Sequence, residues 1–197
     1  MPLPDRMRLP ISFDPARMAR DIEQFSGDVW YPHFVAQHFE GDWSVVPLRS
    51  AVGETHPVRM IYSDPTATEF ADTPFLAWCP GLRAVLDRFD CELHAVRLMR
   101  LAPGSSIKEH NDHDLDAELG MARLHIPVVT NPEVMFRLNG TKVEMKAGEA
   151  WYLRLSDPHS VANPGRTDRI HLVIDAVAND WLLNVISRGV VSGHCEI

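Results

Sequence analysis

Cysteine is scarce: three residues in 197, Cys79, Cys91 and Cys195, odd in number and irregularly spaced. No CxxC occurs, which excludes a disulfide framework or a zinc–thiolate site as the organising device. Long hydrophobic runs are also missing. Nothing approaches the roughly 18 apolar residues of a membrane-spanning helix. The opening Met1-Pro2-Leu3-Pro4-Asp5-Arg6 lacks the apolar run of a signal peptide, so a cytoplasmic protein with no membrane partner is expected. Basic residues are in deficit: 19 Lys and Arg stand against 27 Asp and Glu, for a net charge of −8. That excludes a general binder of nucleic acid, which needs a basic face. Positive charge in any site must come from a few placed arginines. There is no internal repeat and no low-complexity segment. What the chain does have is 45% hydrophobic residues, enough for one domain with a real core.

The apolar pattern divides the chain. Asp14 as N-cap and Pro15 at the first helical position predict a helix carrying Met18, Ile22 and Phe25 on one stripe. Residues 30–75 are broken by Pro and polar residues, with short strands predicted at Ser44–Leu48 and Val58–Tyr62. Leu82, Val85, Leu86 and Phe89 predict a second helix over Leu82–Phe89. From residue 93 the period changes to two, and strands are predicted at Ala95–Leu101, Arg123–Thr130, Ala150–Leu153, His159–Ala162 and Arg169–Val177. Asn139-Gly140 between Val134–Leu138 and Thr141–Met145 is a hairpin signal. Asn-Gly suits the positive φ angles of a type I′ turn, and Phe136 then faces Val143 and Val134 faces Met145. A last helix is predicted over Asn179–Ser187. Short strands separated by Gly/Pro turns indicate a mainly β jelly roll. The expected organisation is one domain: helices and loops over 1–92, the jelly-roll core over 93–177, and a helix and tail over 178–197.

Within that core, His110-Asn111-Asp112 stands out. Residues two apart on an extended segment point the same way, so His110 and Asp112 can face one ion. His159, from a distant strand, completes two histidines and one carboxylate, the ligand set of non-haem Fe(II) oxygenases. His159 and Arg169 each lie five residues from Pro164 in the turn Asn163-Pro164-Gly165. A symmetric hairpin would set them opposite each other on one face, where the Arg169 fork could grip a carboxylate bidentately. That points to a dicarboxylate co-substrate. Arg123 and His125 share one face of their strand. Arg97 shares a face with Met99 and is a candidate for a substrate carboxylate, or else a surface arginine. Such a polar set inside strands is costly unless paired. The alternative to ligand binding is salt bridging, Arg123 with Glu118 or Arg169 with Asp175.

Five segments carry a resemblance: Pro103 to Asp112, Arg123-Leu124-His125-Ile126-Pro127, Gly148-Glu149-Ala150-Trp151-Tyr152, Pro158 to Asn163, and Arg169 to Asp175. In order and spacing they resemble the aspartyl/asparaginyl β-hydroxylase-like family of Fe(II)/2-oxoglutarate oxygenases. The resemblance implies a double-stranded β-helix. It implies His110, Asp112 and His159 as ligands of Fe(II), Arg169 on the distal carboxylate of 2-oxoglutarate, and Arg123 and His125 near that co-substrate. It implies O₂-dependent hydroxylation with release of succinate and CO₂. Asp112 makes the chain similar to the bacterial, HxD-containing branch related to the proline hydroxylases. Met99 departs from the pattern, standing where vertebrate-type members have a serine.

The rival expectation is a cupin-type metalloprotein with non-oxidative chemistry or small-acid binding. Gly104 to His110 and His159 to Asn163 resemble parts of the cupin motifs, but Asp112 stands where that pattern has a histidine. The expected partner is an amino acid, or an aspartyl- or asparaginyl-type side chain in a peptide. Neither the substrate nor the oligomeric state can be read from these residues.

Overall fold

A computed structural model describes residues 3–25, 27–62 and 66–191. Cys195 lies outside them. In chain order the strands are β1 (Arg6–Ser12), β2 (Tyr31–Pro32), β3 (Phe39–Glu40), β4 (Trp43–Ala51), β5 (Phe70–Asp72), β6 (Leu93–Leu101), β7 (Ser105–His110), β8 (Met121–Val129), β9 (Met135–Leu138), β10 (Thr141–Val143), β11 (Glu149–Leu153), β12 (His159–Asn163) and β13 (Arg169–Val177). The helices are α1 (Pro15–Ile22), α2 (Pro57–Ile61), α3 (Pro80–Leu86) and α4 (Asp180–Ser187). A major sheet of eight strands runs β1-β11-β8-β13-β6-β4-β2, with β5 on β4, and a minor sheet of five runs β10-β9-β12-β7-β3. The two sheets face one another as a jelly roll.

The strands β6, β8 and β13 at the centre of the major sheet explain the layering. Their alternate residues Val96 and Leu98, Leu124 and Ile126, and Leu172 and Ile174 pack with Met18 and Ile22 of α1 and Leu82, Val85 and Leu86 of α3. The residues between them turn toward the minor sheet. There Met99, Leu101 and Val173 meet Ile107 of β7, Phe136 and Leu138 of β9, and Val161 of β12. Period-two alternation thus gives each strand one apolar face for the helices and one face for the lumen.

Several elements form for the predicted reasons. Asp14 accepts hydrogen bonds from the amides of Ala16 and Arg17, and Pro15 opens α1. The β9–β10 hairpin pairs Phe136 with Val143, and Asn139 and Gly140 take φ of 50° and 72°. Val134 and Met145 lie outside the paired residues.

Three expectations are corrected. Val58–Tyr62 is not a strand: Pro57 opens α2, which buries Met60 and Ile61. A proline at the first helical position is a helix signal, and it outweighs a three-residue alternation. Residues 1–92 are more than helices and loops, because β1 pairs with β11 and β4 pairs with β6. Strand β4 is buried on both faces, so its sequence does not alternate over its length. Its Pro47 sits at a register shift, where a missing N–H is tolerated.

The third correction concerns Asn163-Pro164-Gly165, which closes no hairpin. Strand β12 pairs with β7 and β9, while β13 pairs with β6 and β8. The segment carries the chain from one sheet to the other. The fully buried Asn163 fastens this corner. Its Nδ2 donates to the carbonyls of Leu101 and Thr167, both at 2.9 Å, and its Oδ1 accepts from Asn131 at 3.0 Å. Asn163→Ala would take this buried donor from Leu101 O, while Thr167 O keeps Asn131 Nδ2, and is expected to lower the unfolding free energy by about 2 kcal/mol. Urea denaturation checks this, with exposed Arg166→Ala in the same turn expected to shift it by less than about 0.5 kcal/mol. Equal effects would mean that the amide does not hold the corner.

Candidate metal centre and anion pocket

The jelly roll brings all seven predicted site residues to one cavity. His110, Asp112, His159, Arg123, His125, Arg169 and Arg97 line a space of ≈ 510 Å³ between the sheets, within the range of small-molecule sites. His110 ends β7 and His159 begins β12, and the two are direct cross-strand partners. Asp112 lies two residues past His110, with its backbone N–H donating to Leu155 O at 2.8 Å. One imidazole nitrogen from each histidine and a carboxylate oxygen of Asp112 lie within 4.8 Å of one another. Arg169 reaches the cavity from the major sheet, so it faces His159 across the lumen rather than along a hairpin.

Each histidine is oriented by its own backbone. His110 Nδ1 is 2.8 Å from Lys108 O and His159 Nδ1 is 3.0 Å from Asp157 O. A carbonyl only accepts, so Nδ1 carries a proton in both rings and Nε2 is the nitrogen turned toward the cavity. The Nε2 atoms lie 3.9 Å (His110) and 4.0 Å (His159) from Asp112 oxygens. Burial first, opposed in part by the Asp157 carbonyl, pulls His159 down to about 4. It is therefore neutral and ready to ligate at neutral pH. Together the three residues offer two imidazole nitrogens and one carboxylate oxygen within 4.8 Å of one another, a donor set suited to a divalent cation.

Beside the triad stands a file of charges. Asp175 on β13 faces Arg123 on β8 and binds it through two parallel bonds, Nε to Oδ1 at 2.6 Å and Nη2 to Oδ2 at 2.9 Å. Arg97 Nη2 also donates to Asp175 Oδ2, at 2.8 Å. Arg123 then donates Nη1 to Asp112 Oδ2 at 2.6 Å. Burial works against the Arg123 charge, but Asp175 and Asp112 more than offset it and raise its pKa. The salt-bridging alternative therefore has substance, with partners other than Glu118 for Arg123. Asp175 is the functional-site residue that the sequence reading assigned only as a possible partner of Arg169. It shares a face with Arg169 by period two, and that was the available signal.

The deep end of the cavity behaves differently. Arg169 gives Nη2 to His171 Nδ1 at 2.9 Å, and burial pulls it down to about 9, which leaves it charged at neutral pH. Its Nε and the Nε2 of His125 are buried without a hydrogen-bond partner. Burial, followed by the nearby Arg169 charge, holds both His125 and His171 well below the usual histidine value. The opposite wall is aromatic: Trp43 stacks on His33 at 3.5 Å and His33 on Phe34 at 4.8 Å. The indole Nε1 of Trp43 is another buried donor without a partner. Trp43 and His33 escaped the sequence reading because neither lies in a motif.

The family model for aspartyl/asparaginyl beta-hydroxylase matches residues 22–179. The chain is 28% identical over 187 residues to an L-proline cis-4-hydroxylase of Rhizobium meliloti (strain 1021), covering 89% of this chain and 63% of that protein. It is 24% identical over 168 residues to L-proline cis-3-hydroxylase 1 of a Streptomyces species, covering 84% and 57%. The chain thus spans less than two thirds of the length of these relatives. Among solved structures it superposes on a Pseudomonas putida prolyl-4-hydroxylase with a TM-score of 0.55 at 14% identity, covering 89% of this chain and 93% of that one. That likeness is one of fold. No helix among the described residues is long and apolar enough to cross a membrane.

The buried neutral histidines make stability depend on pH in a defined direction. His125 and His171 are depressed in the fold and ordinary, about 6.5, in the unfolded chain. As pH falls below 6.5 the unfolded chain gains protons first, so stability is present above that pH and is lost below it. Between pH 7.5 and 5.5 the metal-free protein is expected to lose roughly 2–3 kcal/mol from these two groups. Urea unfolding at the two pH values checks this. Undiminished stability at pH 5.5 would mean that the imidazoles are charged inside the fold.

Proposed function

The chain belongs to the aspartyl/asparaginyl β-hydroxylase family, and from that premise we propose that it is an Fe(II)- and 2-oxoglutarate-dependent dioxygenase. It hydroxylates a C–H bond of a small amino acid, consuming O₂ and releasing succinate and CO₂. One observation carries this reading. A two-histidine, one-carboxylate triad opens onto the same cavity as a buried arginine whose Nε has no partner. An unpaired buried guanidinium donor is costly, and a carboxylate satisfies it.

In this reading His110, Asp112 and His159 hold Fe(II) by two Nε2 atoms and a carboxylate oxygen. Arg169 receives the distal carboxylate of 2-oxoglutarate, with His125 near the same ligand. When bound, Fe(II) would activate O₂, which supplies the oxidising power, while 2-oxoglutarate would give up two of the four electrons by oxidative decarboxylation to succinate and CO₂ and the substrate C–H bond the other two. Arg123 is engaged by Asp175 and Asp112, so its part at the co-substrate end is exerted through Asp112. Arg97 and the Trp43–His33 wall form the substrate end, where Arg97 meets the substrate carboxylate. The aromatic wall keeps water from the reacting carbon. The names of the two curated relatives make L-proline the first substrate to try. The presence of Asp112 favours hydroxylation over halogenation, which needs that ligand position vacated for a halide. The cupin reading gives no role to the unpartnered Arg169 Nε donor.

Anaerobic addition of Fe(II) and 2-oxoglutarate is expected to give a visible charge-transfer band. In air, an amino-acid panel led by L-proline is expected to yield succinate and a product heavier by one oxygen atom in mass spectrometry. Asp112→Ala is expected to abolish coupled turnover. Arg169→Ala is expected to raise the KM for 2-oxoglutarate roughly 10–100-fold, the loss of a charged hydrogen bond. An unchanged KM would remove Arg169 from its role, and a protein that forms no charge-transfer band would remove the reading as a whole.

A further inference from the structure

We propose that Asp175 is the positioning residue of the metal centre: it fixes the Arg123 guanidinium so that Arg123 holds Asp112 Oδ2 and leaves Oδ1 for the metal. This rests on His110, Asp112 and His159 being the metal ligands.

Asp112 needs such a device. It follows the end of β7 and its side chain is 30% exposed. The bond from its N–H to Leu155 fixes the main chain but leaves the carboxylate free to rotate. A single contact with a mobile arginine would tether it poorly, since a guanidinium on a flexible stem loses much rotamer freedom on being fixed. Here the freedom is removed in advance. The parallel Nε and Nη2 bonds to Asp175 set both the position and the plane of the Arg123 guanidinium. Only then does Nη1 point at Asp112 Oδ2 from a defined direction.

Asp175 is itself held from two sides. It lies in β13 between β8 and β6, cross-strand from Arg123, and Arg97 reaches its Oδ2 from β6. At 2% side-chain exposure for Asp175 and 1% for Arg97, this pair is nearly shut off from bulk water and has little room to relax. Three adjacent strands of the major sheet therefore fix a ligand that belongs to the loop after the minor sheet's β7. The same ion pairs could serve only to neutralise two buried arginines. The two roles differ in what they require: neutralisation needs a charge, whereas positioning needs the two-pronged geometry.

The test uses the metal-free full chain with Co(II) as probe, read by calorimetric titration and by the visible spectrum of the bound ion, with urea unfolding as a check on folding. Loss of an outer partner of a metal ligand characteristically weakens metal affinity about 10–100-fold. That is the expected loss for Asp175→Asn, together with a changed Co(II) spectrum. Arg123→Lys keeps the charge but cannot fork. Positioning predicts the same weakening and spectral change, and neutralisation alone predicts wild-type behaviour. Wild-type affinity and spectrum in a folded Asp175→Asn would overturn the proposal. If Asp175→Asn does not fold, Arg123→Lys decides, and wild-type behaviour there overturns it. Asp112→Ala separates the premise from the inference. Binding lost in Asp112→Ala but intact in Asp175→Asn sinks only the inference, whereas unweakened binding in Asp112→Ala sinks the ligand assignment and the inference with it.

Discussion

Keeping three guanidiniums charged inside a β-sandwich is the constraint from which the site's arrangement follows. Arg97 and Arg169 are almost wholly buried and Arg123 nearly so. An unpaired charge in such a place costs several kcal/mol even after relaxation. The lumen answers this in two ways. Asp175 pairs with Arg97 and Arg123 together, and the second carboxylate on Arg123 is Asp112. Arg169 has the neutral His171 imidazole and lies over the Phe136 ring, with no ion pair among the described residues. The fold therefore gives Arg123 two carboxylates and Arg97 one, and gives Arg169 none among the described residues.

The two sheets contribute different chemistry because their strands are anchored differently. The major sheet has helices behind it, so the outward residues at the centre of β6, β8 and β13 are apolar and the buried charges sit on the inward face. Those positions hold the arginines, Asp175, His125 and His171. The minor sheet supplies the histidine pair through the direct register of His159 with His110. Strand neighbours bring side chains to about 5 Å and facing sheets to about 10 Å. The histidine pair thus sits between two neighbouring strands of one sheet, whereas Arg169 reaches the same cavity from the other sheet.

Much of this was legible in the sequence where one period governs. Arg123 and His125, and Arg97 and Met99, share faces because a central strand alternates strictly. The Asn139-Gly140 turn was legible because two positive φ angles leave few residue choices. The sheet assignment of β12 and β13 was not. A turn tripeptide flanked by strands is locally identical whether it closes a hairpin or crosses between sheets, and only the partners already flanking β13 decide. The buried amide of Asn163, which makes the crossing, is an ordinary turn residue by sequence. Strand β4 was read short because burial on both faces removes the alternation. Asp175 was visible as a face partner of Arg169, but which arginine it serves depends on the register between β13 and its neighbours, which no single strand encodes.

The charge of the whole chain and the charge of its cavity have opposite signs, and the difference bears on what the site accepts. Around the triad, Arg97, Arg123 and Arg169 face two carboxylates, Asp112 and Asp175, with Asp114 out at the exposed rim. The inner lumen therefore carries one net positive charge before any ligand enters, on a molecule whose formal net charge is −8. A divalent cation at the triad raises the local total to three. In a low-dielectric space an excess of that size strongly favours anions. A dicarboxylate would supply two of the three compensating charges.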